Sequence, residues 1–71
     1  MKVTYDKEAD AMYIYLKKIE AGEVEDTIEL NENIILDFDK DKKLIGIEIL
    51  NASKVIPQSA FSDMTVSAQA L

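Results

Sequence analysis

Four carboxylates in this chain fall at the spacing of a calcium-binding loop. Asp37, Asp39, Asp41 and Glu48 take positions one, three, five and twelve of the pattern D-x-D-x-D-G-x5-E, whose oxygen ligands wrap a divalent cation. Position six, where the loop needs glycine for its sharp turn, is Lys42. Lys40 and Lys43 add positive charge where the ion would sit. The flanking sequence alternates as strands do, so the carboxylates are expected as an exposed row, with Asp37 beside Gly46 and Glu48 across from Ile35. Divalent-cation or ligand binding by these four groups is therefore the alternative reading and not the first.

A second constellation sets Glu8 and Asp10 near Tyr13 and Tyr15. Carboxylates beside phenols can do acid–base work, but only in a concave, water-poor site that shifts a pKa. No nucleophile–base pair accompanies them, so no catalytic residue is assigned and the chain reads as non-enzymatic. The tyrosines matter more as contact area, because the ring buries surface while the hydroxyl stays wet. With Glu23, Glu25 and Glu29 they make up the candidate interaction surface, Tyr13 and Tyr15 on the outer sheet face and the glutamates on an acidic strand.

Composition narrows the chemistry further. The 71 residues carry 14 acidic and 8 basic groups, a net charge of −6, and every basic residue is lysine. Direct nucleic-acid binding needs a basic footprint, which is missing. An acidic surface suits a basic protein partner instead. Cysteine and histidine are both absent, which removes disulfides, thiol chemistry and the usual ligands of zinc or copper. No cofactor is implied. No apolar run approaches the roughly 20 residues that span a membrane. After Met1-Lys2 the chain runs straight into charged, strand-like sequence, so no signal peptide is expected and the compartment is the cytoplasm. A chain this short buries only about 60% of its unfolded surface, and without disulfides the expected source of further burial is a homodimer.

The elements that hold these groups follow from alternation. Residues 34–39 and 44–50 read as two strands around a charged turn, the centre of the fold. Leu36 and Phe38 should share a face with Ile45 and Ile47, which sets Phe38 opposite Ile45 and leaves residues 40–43 as a four-residue loop. Before them, Val3 and Tyr5 mark a first strand, and residues 11–16 a second, with Met12, Ile14 and Leu16 on one face. Tyr5 opposite Met12 leaves residues 7–10 as its loop. Residues 24–30 form a third strand, Val24, Asp26, Ile28 and Leu30 alternating with the acidic side. The three-residue turn at 31–33 needs one residue in the left-handed region, which Asn31 or Asn33 can supply. Asn51 or Ser53 can cap a helical turn reaching Val55-Ile56, and Pro57 ends it.

Three blocks of this sequence resemble a known family. They are Tyr5-Asp6-x-Glu8-Ala9-Asp10-Ala11-Met12-Tyr13-Ile14, Ile35-x-Asp37-Phe38-Asp39, and Gly46-Ile47-Glu48-Ile49-Leu50-x-Ala52-Ser53. In order and spacing they resemble the prokaryotic family catalogued as domain of unknown function 2283, over residues 2–56. The resemblance implies a short, free-standing protein and no catalytic residues to carry over. Some family members are encoded beside small toxin-like proteins, which implies an antitoxin-like or accessory role.

The fold class expected is α+β: a small antiparallel β-meander of four to five strands with a short C-terminal helical segment. Residues 1–57 form the sheet domain and residues 58–71 a tail or short helix. The core should comprise Val3, Met12, Ile14, Leu16, Ile28, Leu30, Ile34, Leu36, Phe38, Ile45, Ile47 and Ile49, closed by Val55 and Ile56. The function expected is a protein-interaction module.

Overall fold

The structure is a computed structural model that describes residues 1–67 and 69–70. The strands are β1 (Lys2–Asp6), β2 (Ala11–Tyr15), β3 (Asp26–Glu29), β4 (Ile34–Phe38) and β5 (Leu44–Leu50). Helices α1 (Ala52–Val55) and α2 (Gln58–Ser67) follow, and a two-residue strand β6 (Gln69–Ala70) ends the described chain. All neighbours in the order β3-β4-β5-β2-β1 are antiparallel, and β6 lies parallel to β1 at the far edge. The α+β class and the antiparallel sheet with a helical end are as expected. The meander β3-β4-β5 and the hairpin β1-β2 meet where β5 pairs with β2.

Cross-strand partners share a face of a sheet, so the register sorts the side chains into rows. One row runs Val3, Ile14, Ile47, Leu36, Ile28 through all five antiparallel strands. Beside it run Tyr5, Met12, Ile49 and Ile34, continued by Leu30, whose N–H donates to the Ile34 carbonyl at 2.8 Å. This is the face that the helices cover, but only in part. Val55, Ile56, Phe61 and Met64 pack against Met12, Ile49 and Ala52. The Phe61 ring meets Tyr5 edge-on, 5.4 Å between centroids. Exposure therefore rises along the rows, from 1% at Met12 to 51% at Ile28 and 61% at Leu30.

That gradient corrects the expected core. Ile28, Leu30 and Leu16 (39% exposed) are not buried, because ten residues of α2 span only the β1–β2–β5 half of the face. Tyr5, Ala52, Phe61 and Met64 join the core cluster instead.

The turns carry the other corrections. The first hairpin has the expected register, Tyr5 opposite Met12, and Asp6 Oδ1 accepts from the N–H groups of Glu8 and Ala9. In the central hairpin Phe38 pairs with Leu44, not Ile45, because the register shifts at Asp37/Phe38. The loop has three residues: Asp39 N–H donates to the Lys43 carbonyl at 2.9 Å, and Lys42 N–H to the Asp39 carbonyl at 3.0 Å. An odd loop requires one residue of positive φ, and Lys42 takes it at 64°. The Asp39 carboxylate holds this shape by accepting from Asp41 and Lys43 N–H groups at 2.8 and 3.0 Å. One extra residue on β5 then makes a bulge.

At 31–33 the expected three-residue turn forms, yet neither asparagine has positive φ. Asn31 Oδ1 instead accepts from the N–H groups of Asn33 and Ile34 at 2.8 and 2.9 Å. The left-handed asparagine is Asn51, φ 55°, at the β5–α1 junction, where its side chain makes no cap. β3 is shorter than residues 24–30, because residues 24 and 25 lie in the preceding connection.

Truncation should follow the gradient. Met12→Ala is expected to cost about 2–5 kcal/mol by the loss of a buried side chain. Leu30→Ser should stay within about 0.5 kcal/mol. Urea unfolding at a concentration too dilute for self-association measures both.

Candidate functional site

The calcium-loop carboxylates do not converge. Asp39 is occupied by its own turn. Glu48 faces Ile35 and Tyr13 across its two neighbouring strands. Asp41 sits exposed in the loop. Among the described residues no three carboxylates come together to hold a metal ion. Asp37 does have close partners, but they are hydroxyls. It accepts from Tyr13 Oη at 2.5 Å and from Thr27 Oγ1 at 2.7 Å.

These contacts lie on the sheet face opposite the helices. There one row runs Lys2, Tyr15, Gly46, Asp37, Thr27, and the next runs Thr4, Tyr13, Glu48, Ile35, Glu29. Tyr13 reaches Asp37 diagonally over β5, and Gly46 is what lets it pass. A Cβ at position 46 would lie 2.7 Å from the ring carbon Cζ and closer still to the hydroxyl. The Tyr15 ring lies tilted at 52° against Tyr13, 4.6 Å between centroids, and Lys2 Nζ sits 5.0 Å from the Tyr15 ring centre. Burial, then the Asp37 hydrogen bond, hold the Tyr13 phenol well above the usual tyrosine range. The network stitches β2, β4 and β3 together over a glycine, and the arrangement is that of a brace.

The second constellation is divided between two structures. Tyr13 belongs to the brace, and Glu8 lies exposed in its turn. Asp10 turns the other way, at φ 52°, to clip the first hairpin to the helical end. Its carboxylate accepts from Tyr5 Oη at 2.7 Å, from Ser53 N–H at 3.0 Å and from Ser53 Oγ at 2.6 Å. Its backbone carbonyl accepts from Ala52 N–H at 2.9 Å. The Ser53 bonds, then the Tyr5 bond, hold the Asp10 carboxyl below the usual carboxylate range. The same bond raises the Tyr5 phenol. Long-range partners of this kind leave no periodic trace; the pointer in the sequence was Asp10 standing in a hairpin turn, where a left-handed aspartate is tolerated.

The glutamates of the candidate interaction surface occupy two settings. Glu29 lies on β3 in the row of Tyr13. Glu23 and Glu25 precede β3. Glu23 is tied to Lys17 in an ion pair and accepts from Glu20 N–H at 2.9 Å, and the Lys17 bond holds its carboxyl low. Glu25 donates its own N–H to the Phe38 carbonyl at 2.8 Å and leaves its side chain exposed. Gly22, at φ 79°, turns the chain into this segment. Residues 20–32 hold Glu20, Glu23, Glu25, Asp26, Glu29 and Glu32 and no basic residue. Ile28 and Leu30, expected in the core, belong to this exposed segment.

Three substitutions test the brace and the clip. Gly46→Val should destabilise by about 1–3 kcal/mol through overlap with Tyr13, and Tyr13→Phe by about 1 kcal/mol through one lost hydrogen bond; denaturant midpoints measure both. Because folding lowers the Asp10 pKa, its contribution is fully present above about pH 4 and is lost as pH falls through the lowered value. Asp10→Asn should therefore melt lower at neutral pH and lose less stability than the native chain on acidification. Equal acid limbs in the two proteins would rule the clip out as their source.

No helix of the described residues is long and apolar enough to cross a membrane. No solved structure matches the chain. An uncharacterised protein of Methanocaldococcus jannaschii is 40% identical over 55 residues, covering 78% of this chain and 44% of that protein. The chain thus spans less than half the length of this relative. The profile of a family described as "Protein of unknown function (DUF2283)" matches residues 2–53. That match takes in β1 to β5, the Asp10–Ser53 clip and the Tyr13–Gly46–Asp37 brace, and the chain belongs to this family.

Proposed function

We propose that the chain is a small acidic cytoplasmic protein-interaction module, non-enzymatic, that works as a homodimer and serves as an accessory partner of a basic protein. The observation that carries this reading is the open half of the helix-bearing face. Leu30 continues the row of the buried Met12 and Ile49, Ile28 continues the row beside it, and both stand more than half exposed. A single sheet must cover its apolar face with something, and the helical end reaches only part of it. A second copy laid over β3 and β4 would bury Ile28, Leu30 and Leu36 and supply what a domain of this size lacks. Asp26, Glu29 and Glu32 lie along this half with Lys42 as the base beside Ile28, an acidic balance that suits a basic protein at the rim of such a dimer.

The catalytic readings find no support in the geometry. Asp10, Tyr13 and Asp37 are each committed to hydrogen bonds that join elements, and the acids of the calcium pattern are spread along a hairpin.

Sedimentation at micromolar concentration tests the dimer. The native chain should sediment as a dimer, and Leu30→Glu should shift it to monomer while leaving its circular dichroism unchanged. A native chain that stays monomeric throughout the micromolar range contradicts the reading.

A further inference from the structure

We propose that the outer edge of β3 is a docking site for an extended strand of a basic partner protein, which adds antiparallel to the sheet beyond β3. The inference deepens the reading of the chain as an interaction module and does not depend on its dimer.

Three observations meet at this edge. First, β3 is terminal in the sheet order, with a neighbour on the β4 side only. Leu30 donates inward to Ile34, and ladder groups alternate in direction along a strand. Asp26 and Ile28 therefore also turn their backbone groups toward β4, while the N–H and C=O groups of Thr27 and Glu29 point away from it. An open row of this kind is a template for strand addition.

Second, the side chains along the edge are sorted by face. Ile28 and Leu30 prolong the two apolar rows on the helix side, with Asp26 opposite Phe38 at the end of the strand, and Thr27 and Glu29 prolong the rows of Asp37 and Tyr13 on the other. A shallow cleft floored by Ile28 and Phe38, rimmed by Asp26, Thr27 and Lys42, lies beside the strand. A strand added here places alternate residues against each face. Apolar side chains fit next to Ile28 and the cleft, and basic ones next to Glu29.

Third, charge selects the occupant. Of the six acids between residues 20 and 32, Glu20 and Glu23 are paired with Lys18 and Lys17, which leaves Glu25, Asp26, Glu29 and Glu32 with no base among them. A second copy's β3 in this place would set one acidic run against another, which is unfavourable for directly opposed strands. A strand carrying lysine or arginine on one face meets opposite charge instead. The same acids guard the edge against self-pairing.

Antiparallel addition makes a positional prediction. The residues opposite Thr27 and Glu29 are those that exchange hydrogen bonds with them, and they share the face of Glu29. In the added strand these are the basic residues. A short capped peptide of alternating lysine and valine is the probe, titrated into the full chain and followed by backbone amide shifts. Saturable shifts should centre on Thr27 and Glu29. N-methylation of the lysine amides should weaken binding about tenfold or more, the loss of one or two backbone hydrogen bonds. N-methylation of the valine amides should leave it nearly unchanged. Equal binding by both methylated peptides, or by an all-lysine peptide of the same charge, would overturn the proposal in favour of plain charge attraction. Absence of saturable shifts would overturn it as well. Sedimentation of the same samples keeps the two readings apart. A monomer that binds the peptide supports the docking edge and removes only the dimer. A dimer that does not bind it overturns the docking edge alone.

Discussion

Asp10 is the residue on which the rest of the arrangement depends. A four-residue hairpin loop brings it to a left-handed conformation, and from there it accepts hydrogen bonds from β1, through Tyr5, and from α1, through Ser53 and Ala52. These bonds fix where the chain turns after β5, and hence where α2 falls on the sheet. Ala52 is wholly buried at that junction, which leaves no room for a larger side chain there. With the helix anchored over β1 and β2, its apolar side chains meet Tyr5, Met12 and Ile49 and cannot reach β3. The open half of the face is thus a consequence of where the helix is clipped.

The two faces divide the work of stability differently. On the helix side, burial of aliphatic rows supplies the usual apolar driving force. On the other side a single glycine makes a path for Tyr13 to cross β5 and reach Asp37 and Thr27. That brace joins strands from both halves of the sheet, the hairpin β1-β2 and the meander β3-β4-β5. Both faces lose definition toward β3, where Ile28 and Leu30 are uncovered on one side and Glu29 is solvated on the other.

Much of the fold was legible because strand alternation is a local signal. Tyr5 opposite Met12 and the three residues of the 31–33 turn both followed from parity. The central hairpin defeated the same argument by one residue, since Lys42 adopts positive φ without being glycine; the Asp39 carboxylate makes that affordable, and side-chain caps do not show in periodicity. Leu16, Ile28 and Leu30 read as core because alternation tells which side of a strand is apolar, not how far a helix extends over it. The candidate sites fared likewise. The spacing of Asp37, Asp39, Asp41 and Glu48 copies a calcium loop, yet in a hairpin it scatters the acids between a turn, a brace and an outer row. The clip at Asp10 and the brace at Asp37 join residues 43 and 24 positions apart, and only the folded chain reveals such partners.

Amide hydrogen exchange as a function of protein concentration tests the central claim most directly, namely that the sheet is closed around Met12 and Ile49 and open at β3 until a second copy covers it. The account predicts slow exchange at Met12, Ile14, Ile47 and Ile49 at every concentration. At Ile28 and Leu30, whose amides turn toward β4, and at the β4 residues beside them, exchange should be fast in dilute solution and slow as concentration rises through the micromolar range. Protection of β3 equal to that of β2 in dilute solution, or exchange at β3 that ignores concentration, would contradict it.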